Sequence, residues 1–118
     1  MTARQSAVGL GLGVLAPESI GEISRTAEDL GFDEVWVGED YFFTGGIAAA
    51  SAALAATHTI PVGIGIVSAM VRHPAVLAME IATLARVHPG RIRPGIGLGV
   101  PGWLGQMGLM PEIGRAHV

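Results

Sequence analysis

Three apolar stretches of this chain carry glycine at every second position. They are Gly9, Gly11 and Gly13 between Val8 and Leu15, Gly63 and Gly65 between Ile60 and Val67, and Gly95, Gly97 and Gly99 from Ile92 onward. In an extended strand successive side chains point to opposite faces, so each stretch has one aliphatic face and one nearly bare face. A bare face suits the inward side of a barrel strand, where backbone must come close to something. The same spacing in a helix would lose stability at each glycine.

Helical patterns separate these strands. Pro17 suits a first helical turn, Glu18 and Glu22 suit its positive end, and Ile20, Ile23, Ala27 and Leu30 recur at helical spacing before Gly31 stops the run. Phe32 to Val37 reads as a second strand and Ile47 to Ala56 as an alanine-rich, well-covered helix. After the Ile60 to Val67 strand, Arg72-His73-Pro74 opens a helix with Leu77, Ile81 and Leu84 on one side and Glu80, Thr83 and Arg86 on the other. Ile92 to Gly99 is a fourth strand, with a fourth helix starting near Trp103. Strand-then-helix units at this spacing predict an α/β fold with a parallel sheet and right-handed crossovers. A barrel and an open doubly wound sheet both satisfy the pattern. A closed eight-stranded barrel typically needs ~250 residues, and 118 residues read as about four of its βα units, half of one.

Composition narrows the function. There is no cysteine, which removes disulfides, thiolate metal sites and a cysteine nucleophile and permits a cytoplasmic location. A net charge of −3 with seven scattered Lys and Arg speaks against a nucleic-acid surface and for a small-molecule substrate. No charged side chain occurs between Tyr41 and Val71, but Gly45-Gly46, Pro61 and Gly63 interrupt that span too often for a membrane helix. The apolar Ala7 to Ala16 resembles a secretion signal only loosely, because its glycines suit a strand better.

The chemistry is expected at Val35-Trp36-Val37-Gly38-Glu39-Asp40-Tyr41-Phe42-Phe43. A strand there gives way to two carboxylates, Glu39 and Asp40, and three aromatic rings. These residues can grip a flat, polar-edged ligand at a strand's carboxyl end, or form a solvated turn. Tyr41, Phe43 and Trp103 could wall a substrate pocket or cap the apolar end of the sheet. Gly97-Leu98-Gly99-Val100-Pro101-Gly102 spells the glycine pattern of a dinucleotide turn. Its glycines continue the alternation of the other strands, and no acidic residue follows at the usual distance. A nicotinamide-dependent dehydrogenase of Rossmann type is therefore the second reading. His73 is expected to bond local backbone at a helix start. No metal site is legible.

Several segments in order resemble the bacterial luciferase-like oxidoreductases. They are Ala27 to Val37 (AEDLGFDEVWV), Leu54-Ala55-Ala56-Thr57, Arg72-His73-Pro74-Ala75, Ala82-Thr83-Leu84, Pro89-Gly90-Arg91 and Gly95 to Gly99. The resemblance implies the N-terminal half of a TIM-type (β/α)8 barrel and a bound FMN or coenzyme F420, whose ring rests on a non-proline cis peptide at the end of the third strand. Carried over, that feature falls on Val67, Ser68 and Ala69, and Gly97 and Gly99 let backbone approach the cofactor. F420 users of the family commonly carry Asp-His after the second strand, where this chain has Glu39-Asp40, so FMN and F420 both stay open. The implied activity is hydride transfer or oxygen activation by a homo-oligomeric parent. Phosphate-binding residues would then lie in strands beyond this sequence, so the 118-residue chain is expected not to catalyse alone. A non-catalytic barrel module is the third reading.

Ile113 to Val118 breaks the apolar pattern and matches the translation of a common short-read sequencing adapter. The expectation is a barrel domain over residues 1–112 and a non-native tail over 113–118.

Overall fold

The computed structural model describes residues 6–13 and 15–109. Val14, within the first expected strand, and the 113–118 tail lie outside the described residues. Four strands, β1 (Gly9–Gly11), β2 (Glu34–Val37), β3 (Val62–Ser68) and β4 (Ile92–Gly97), alternate with four helices. The helices are α1 (Ile20–Asp29), α2 (Gly46–Ala56), α3 (Pro74–Val87) and α4 (Pro101–Gln106), and a 3-10 turn, Pro17–Ser19, leads into α1. The termini follow the local chemistry. Gly31 takes the left-handed conformation that ends α1, φ 88°. At α3 the His73 ring accepts a hydrogen bond from the Ala75 amide at 3.0 Å, with Pro74 in the first turn.

All strand pairs are parallel and the spatial order is β1-β2-β3-β4. That order decides between the two architectures left open by the sequence. A dinucleotide-binding sheet doubles back, placing its first strand between the second and fourth, whereas consecutive strands side by side are the βα units of a barrel. The Rossmann alternative is therefore corrected. The glycine pattern at Gly97 belongs to a fourth barrel strand.

The register sorts side chains into two faces. Leu10, Val35 and Val62 align across β1 to β3, and Val37 with Ile64. Val35, Val37, Val62, Ile64 and Val67 form one buried cluster with Ala49, Ala53, Leu54, Leu77 and Leu84 of the helices, and Leu10 packs against it. On the opposite, inner face Gly11, Trp36 and Gly63 align, and the alternating glycines become intelligible. A methyl group at Gly63 would stand 2.4 Å from Trp36 Cε3, one at Gly97 would meet Ile66 Cδ1, and one at Gly9 would stand 2.9 Å from Glu34 Cγ. Large inward residues thus lie across the bare backbone of the neighbouring strand.

One expectation is displaced. The non-proline cis peptide joins Gly65 and Ile66, and the β3–β4 register shifts between Ile64 and Val67. This feature precedes the expected Val67, Ser68 and Ala69. Val67 is fully buried in the core cluster.

At the amino-terminal end of the sheet, two ionic side chains to which the sequence assigned no role of their own clamp the turn into β3. Glu28 accepts from the amides of Thr59 at 2.7 Å, Ile60 at 2.9 Å and His58 at 3.0 Å. Arg91 donates to the Ile60 carbonyl at 3.0 Å and to the carbonyl and hydroxyl of Thr57. Burial pushes the Glu28 carboxyl upward. The backbone amides of Thr59, Ile60 and His58 and the Thr59 hydroxyl outweigh it, and lower the pKa from 4.5 to about 2. Because the folded state binds this proton more weakly than the unfolded chain, the stabilisation is complete above pH 4.5 and drains away as the pH falls toward about 2. Glu28→Gln should flatten the acid limb of a stability–pH curve in that window, measured by urea midpoints. An unchanged limb would remove Glu28 as its source.

Candidate active site at the carboxyl rim

Parallel strands deliver their carboxyl ends to one rim, and hydrogen bonds lace three of those ends together. Glu39, two residues after β2, is the centre. Its Oε1 accepts from the Ser68 amide at 3.0 Å and from Arg72 Nη1 at 3.1 Å, and its Oε2 accepts from the Gly46 amide at 3.0 Å and Arg72 Nη2 at 2.7 Å. Arg72 also donates to the Ser68 carbonyl at 3.1 Å. The Ser68 hydroxyl donates to the Leu98 carbonyl at 2.7 Å, and the Ala69 amide to the Gly97 carbonyl at 2.7 Å. The chain of contacts runs from the start of α2 through β2 and β3 to β4.

Only 5% of the Glu39 side chain and 18% of Arg72 are exposed. Burial raises the Glu39 pKa, but the Arg72 hydrogen bonds, the Gly46 and Ser68 amides and the Arg72 charge bring it below the usual carboxylate value. Arg72 is raised, first by its hydrogen bonds to Glu39. With both oxygens occupied, Glu39 has little capacity left to bind or deprotonate a ligand.

Asp40 is different. Its backbone opens a tight hairpin, with Asp40 N donating to Thr44 O at 3.0 Å and Thr44 N to Asp40 O at 2.8 Å. Its side-chain carboxylate has no hydrogen-bond partner among the described residues. Between the two ends of the hairpin sit Tyr41, Phe42 and Phe43. Phe42 has φ 67°, a left-handed conformation that costs a residue with a side chain ~1–2 kcal/mol, and it is 68% exposed. An open cleft of about 310 Å³ runs beside the hairpin, lined by Asp40, Phe42, Phe43, Val71, Arg72 and Met107, among others.

The other expected residues divide. Tyr41 and Phe43 line that cleft. Trp103 does not: it packs edge-on against Tyr41, with ring centroids 5.7 Å apart. The Tyr41 hydroxyl lies beneath Gly99, where a methyl group would stand 2.8 Å from it and 3.2 Å from Ser68 Oγ. That crowding and a φ of 100° make Gly99 a position only glycine fills without strain. The hydroxyl itself is buried without a partner among the described residues. Toward the inner face, a methyl group at Gly11 or Gly13 would meet nothing within 4 Å, and Ile66 and Leu98 are 38% and 50% exposed. An open floor of bare backbone and aliphatic side chain fits a flat, largely apolar ring.

Arg72, Val71 and Met107 are rim residues that sequence reasoning missed. Arg72 lies 33 positions from its partner Glu39, and no spacing rule connects them. Among the described residues no group of three His, Asp or Glu is placed to hold a metal ion, and no helix is long and apolar enough to cross a membrane.

A family profile described as luciferase-like monooxygenase matches residues 1–108. The chain belongs to that family. It is 33% identical over 93 residues to the 5,10-methylenetetrahydromethanopterin reductase of Methanopyrus kandleri, covering 79% of this chain and 27% of that protein. It is 34% identical over 92 residues to an F420-dependent glucose-6-phosphate dehydrogenase of Nakamurella multipartita, covering 70% and 27%. The solved structure of an F420-dependent secondary alcohol dehydrogenase with an F420–acetone adduct superposes with a TM-score of 0.82. The identity there is 27%, over 95% of this chain and 38% of that one. The chain thus spans about 27% of the length of the curated relatives it matches.

Proposed function

We propose that this chain is the amino-terminal part of an oxidoreductase that exchanges a hydride between a small neutral substrate and F420 or FMN. The carrying observation is the rim. Asp40, a carboxylate without a partner among the described residues, stands just after β2 close to the Gly65 backbone: a methyl group at Gly38 would lie 3.8 Å from Asp40 Oδ2 and 3.5 Å from the Gly65 carbonyl oxygen. The inner face keeps open space at Gly11, and Ile66 is exposed. Relatives named as F420-dependent support the cofactor class. When bound, F420 or FMN supplies a two-electron centre that takes a hydride from, or returns it to, a substrate carbon. Asp40 accepts the hydroxyl proton of an alcohol as its C–H bond breaks and its C=O bond closes, and gives the proton back in the reverse direction. Glu39 is the positioning residue that fixes the Asp40 hairpin against β3. Ser68 and Ala69 tie β3 to β4, Ile66 takes the backing position first assigned to Val67, and Gly97 and Gly99 keep the fourth strand's backbone accessible. Tyr41 and Phe43 wall the substrate side, with Trp103 supporting Tyr41 from behind.

The same reading carries a barrel domain over residues 1–112 with 113–118 as a non-native tail. It also carries a cytoplasmic, homo-oligomeric parent with no nucleic-acid partner, supported by the lack of cysteine and the scattered basic residues. Absorbance titration of the full-length protein with F420 and FMN tests the assignment, with saturable binding of one expected. Asp40→Asn should leave that binding intact and lower turnover by about 10²- to 10⁴-fold. Failure of both cofactors to bind would end this reading, and full turnover by Asp40→Asn would end the role of Asp40.

A further inference from the structure

The hairpin tip carries two features that packing does not explain. Phe42 adopts a left-handed backbone with a bulky side chain, which is uncommon outside functional sites. Its ring is nevertheless mostly in solvent, as is that of Phe43, which is 53% exposed. Neither ring belongs to the buried core. Phe42 leans on Tyr41, with ring centroids 6.5 Å apart, but most of its surface and that of Phe43 stays open, an exposed apolar patch on a pinned hairpin.

The electrostatics of the cleft are equally specific. Its charged lining side chains are Glu39, Asp40 and Arg72. Arg72 is engaged by Glu39 through two hydrogen bonds at 3.1 and 2.7 Å, so its charge is compensated within the protein. The remaining charge is the Asp40 carboxylate, which accepts hydrogen bonds and repels anions. Among the described residues no uncompensated lining cation is left to receive a phosphate or carboxylate at this wall.

From these features we infer that Phe42 is a specificity-determining residue. It selects, for the position beside Asp40, an uncharged hydrocarbon group attached to a hydroxyl-bearing carbon. The substrate class is a neutral aliphatic or aryl alcohol or its ketone, with the alcohol hydroxyl donating to Asp40 and its alkyl body lying on the Phe42 ring. The inference deepens the redox reading above and rests on it for turnover, though not for binding. Phe42 acts by contact with the substrate body and takes no part in proton or hydride movement. The left-handed backbone is the means of placing the ring: it turns the residue out of the hairpin and toward the cleft.

The test is equilibrium binding of 2-octanol and of octanoate to the full-length protein by calorimetry, for the natural protein, Phe42→Gly and Phe42→Leu, each checked for folding by thermal melting. The natural protein is expected to bind 2-octanol at least about tenfold more tightly than octanoate. Phe42→Gly should lose about tenfold or more of the 2-octanol affinity, while its melting temperature rises because glycine adopts the left-handed conformation freely. Phe42→Leu should keep most of the affinity and gain no thermal stability. Unchanged 2-octanol affinity in Phe42→Gly, or tighter binding of octanoate than of 2-octanol, would overturn the inference. Cofactor titration of the same proteins separates the two claims. A natural protein that takes neither F420 nor FMN, yet loses 2-octanol on Phe42→Gly, defeats the redox reading alone. One that takes a cofactor and keeps its 2-octanol in Phe42→Gly defeats this inference alone.

Discussion

Glu39→Gln is expected to destabilise the full-length protein by about 3–5 kcal/mol, the range for breaking a buried ion pair by removing one partner. The magnitude follows from the 5% exposure of the Glu39 side chain and from its four donors. An amide in its place turns one donor toward the Arg72 guanidinium and leaves that cation uncompensated. The Ser68 and Gly46 amides lose a charged acceptor as well. Arg72→Lys should cost less, since it keeps the charge and loses the two-pronged geometry. Arg72→Met combined with Glu39→Gln should recover part of the loss, because no buried charge then stands alone. Urea unfolding of the four proteins measures all of this. The lowered pKa of Glu39 adds a sign: its contribution is present above the ordinary carboxylate range and is lost as acid protonates it. A Glu39→Gln protein of undiminished stability but no turnover would show that Glu39 acts on the substrate and not on the rim.

Gly63→Ala is the second large effect, about 3 kcal/mol, the upper end of what overpacking a core position costs. The added methyl would stand 2.4 to 2.5 Å from three carbons of the Trp36 indole. That ring is rigid and rests directly on the strand, so the backbone of β3 would have to move. Gly11→Ala is the internal control. Gly11 occupies the same row of the same face, but nothing lies within 4 Å of its added methyl, and its change should fall within about 0.5 kcal/mol. Gly97→Ala belongs between them, because the tight contact is with Cδ1, the far end of the flexible Ile66 side chain, while Ile66 Cγ1 and Cβ stay at ordinary contact distances of 3.5 and 3.8 Å. If Gly63→Ala and Gly11→Ala melt alike, the interlocking of large residues over bare strands is not what holds the inner face together. A Trp36→Leu background should relieve most of the Gly63→Ala penalty, a coupling of more than about 1 kcal/mol expected only of residues in contact.

The Trp36–Gly63 pair also marks how far the sequence could be read. Gly63, Gly65, Gly95 and Gly97 announced strands with a bare face, and period-two alternation was enough for that. It could not say what lay on the bare face, because the occupant comes from the neighbouring strand, 27 positions away in the case of Trp36. The helices were legible from Pro17, Gly31 and Pro74, whose backbone preferences act within a few residues. His73 bonding its own local backbone was legible for the same reason.

Glu39 and Asp40 are the instructive pair at the site. Adjacent in sequence and identical in charge, they were read as one functional unit. The fold separates them by giving Glu39 four donors from α2, β3 and Arg72 in the turn before α3, and by leaving the Asp40 carboxylate with none among the described residues. The position of the cis peptide escaped by two residues, since the register shift that surrounds it is a property of the β3–β4 pairing. By itself the sequence determined the strand–helix alternation, the parallel sheet and the family, because local periodicity and short motifs carry those. Which carboxylate is tied into the scaffold, which ring faces solvent and which strand order the sheet adopts were decided by tertiary structure. Those depend on partners about thirty positions apart, brought together only when the strands pair and their carboxyl ends meet at one rim.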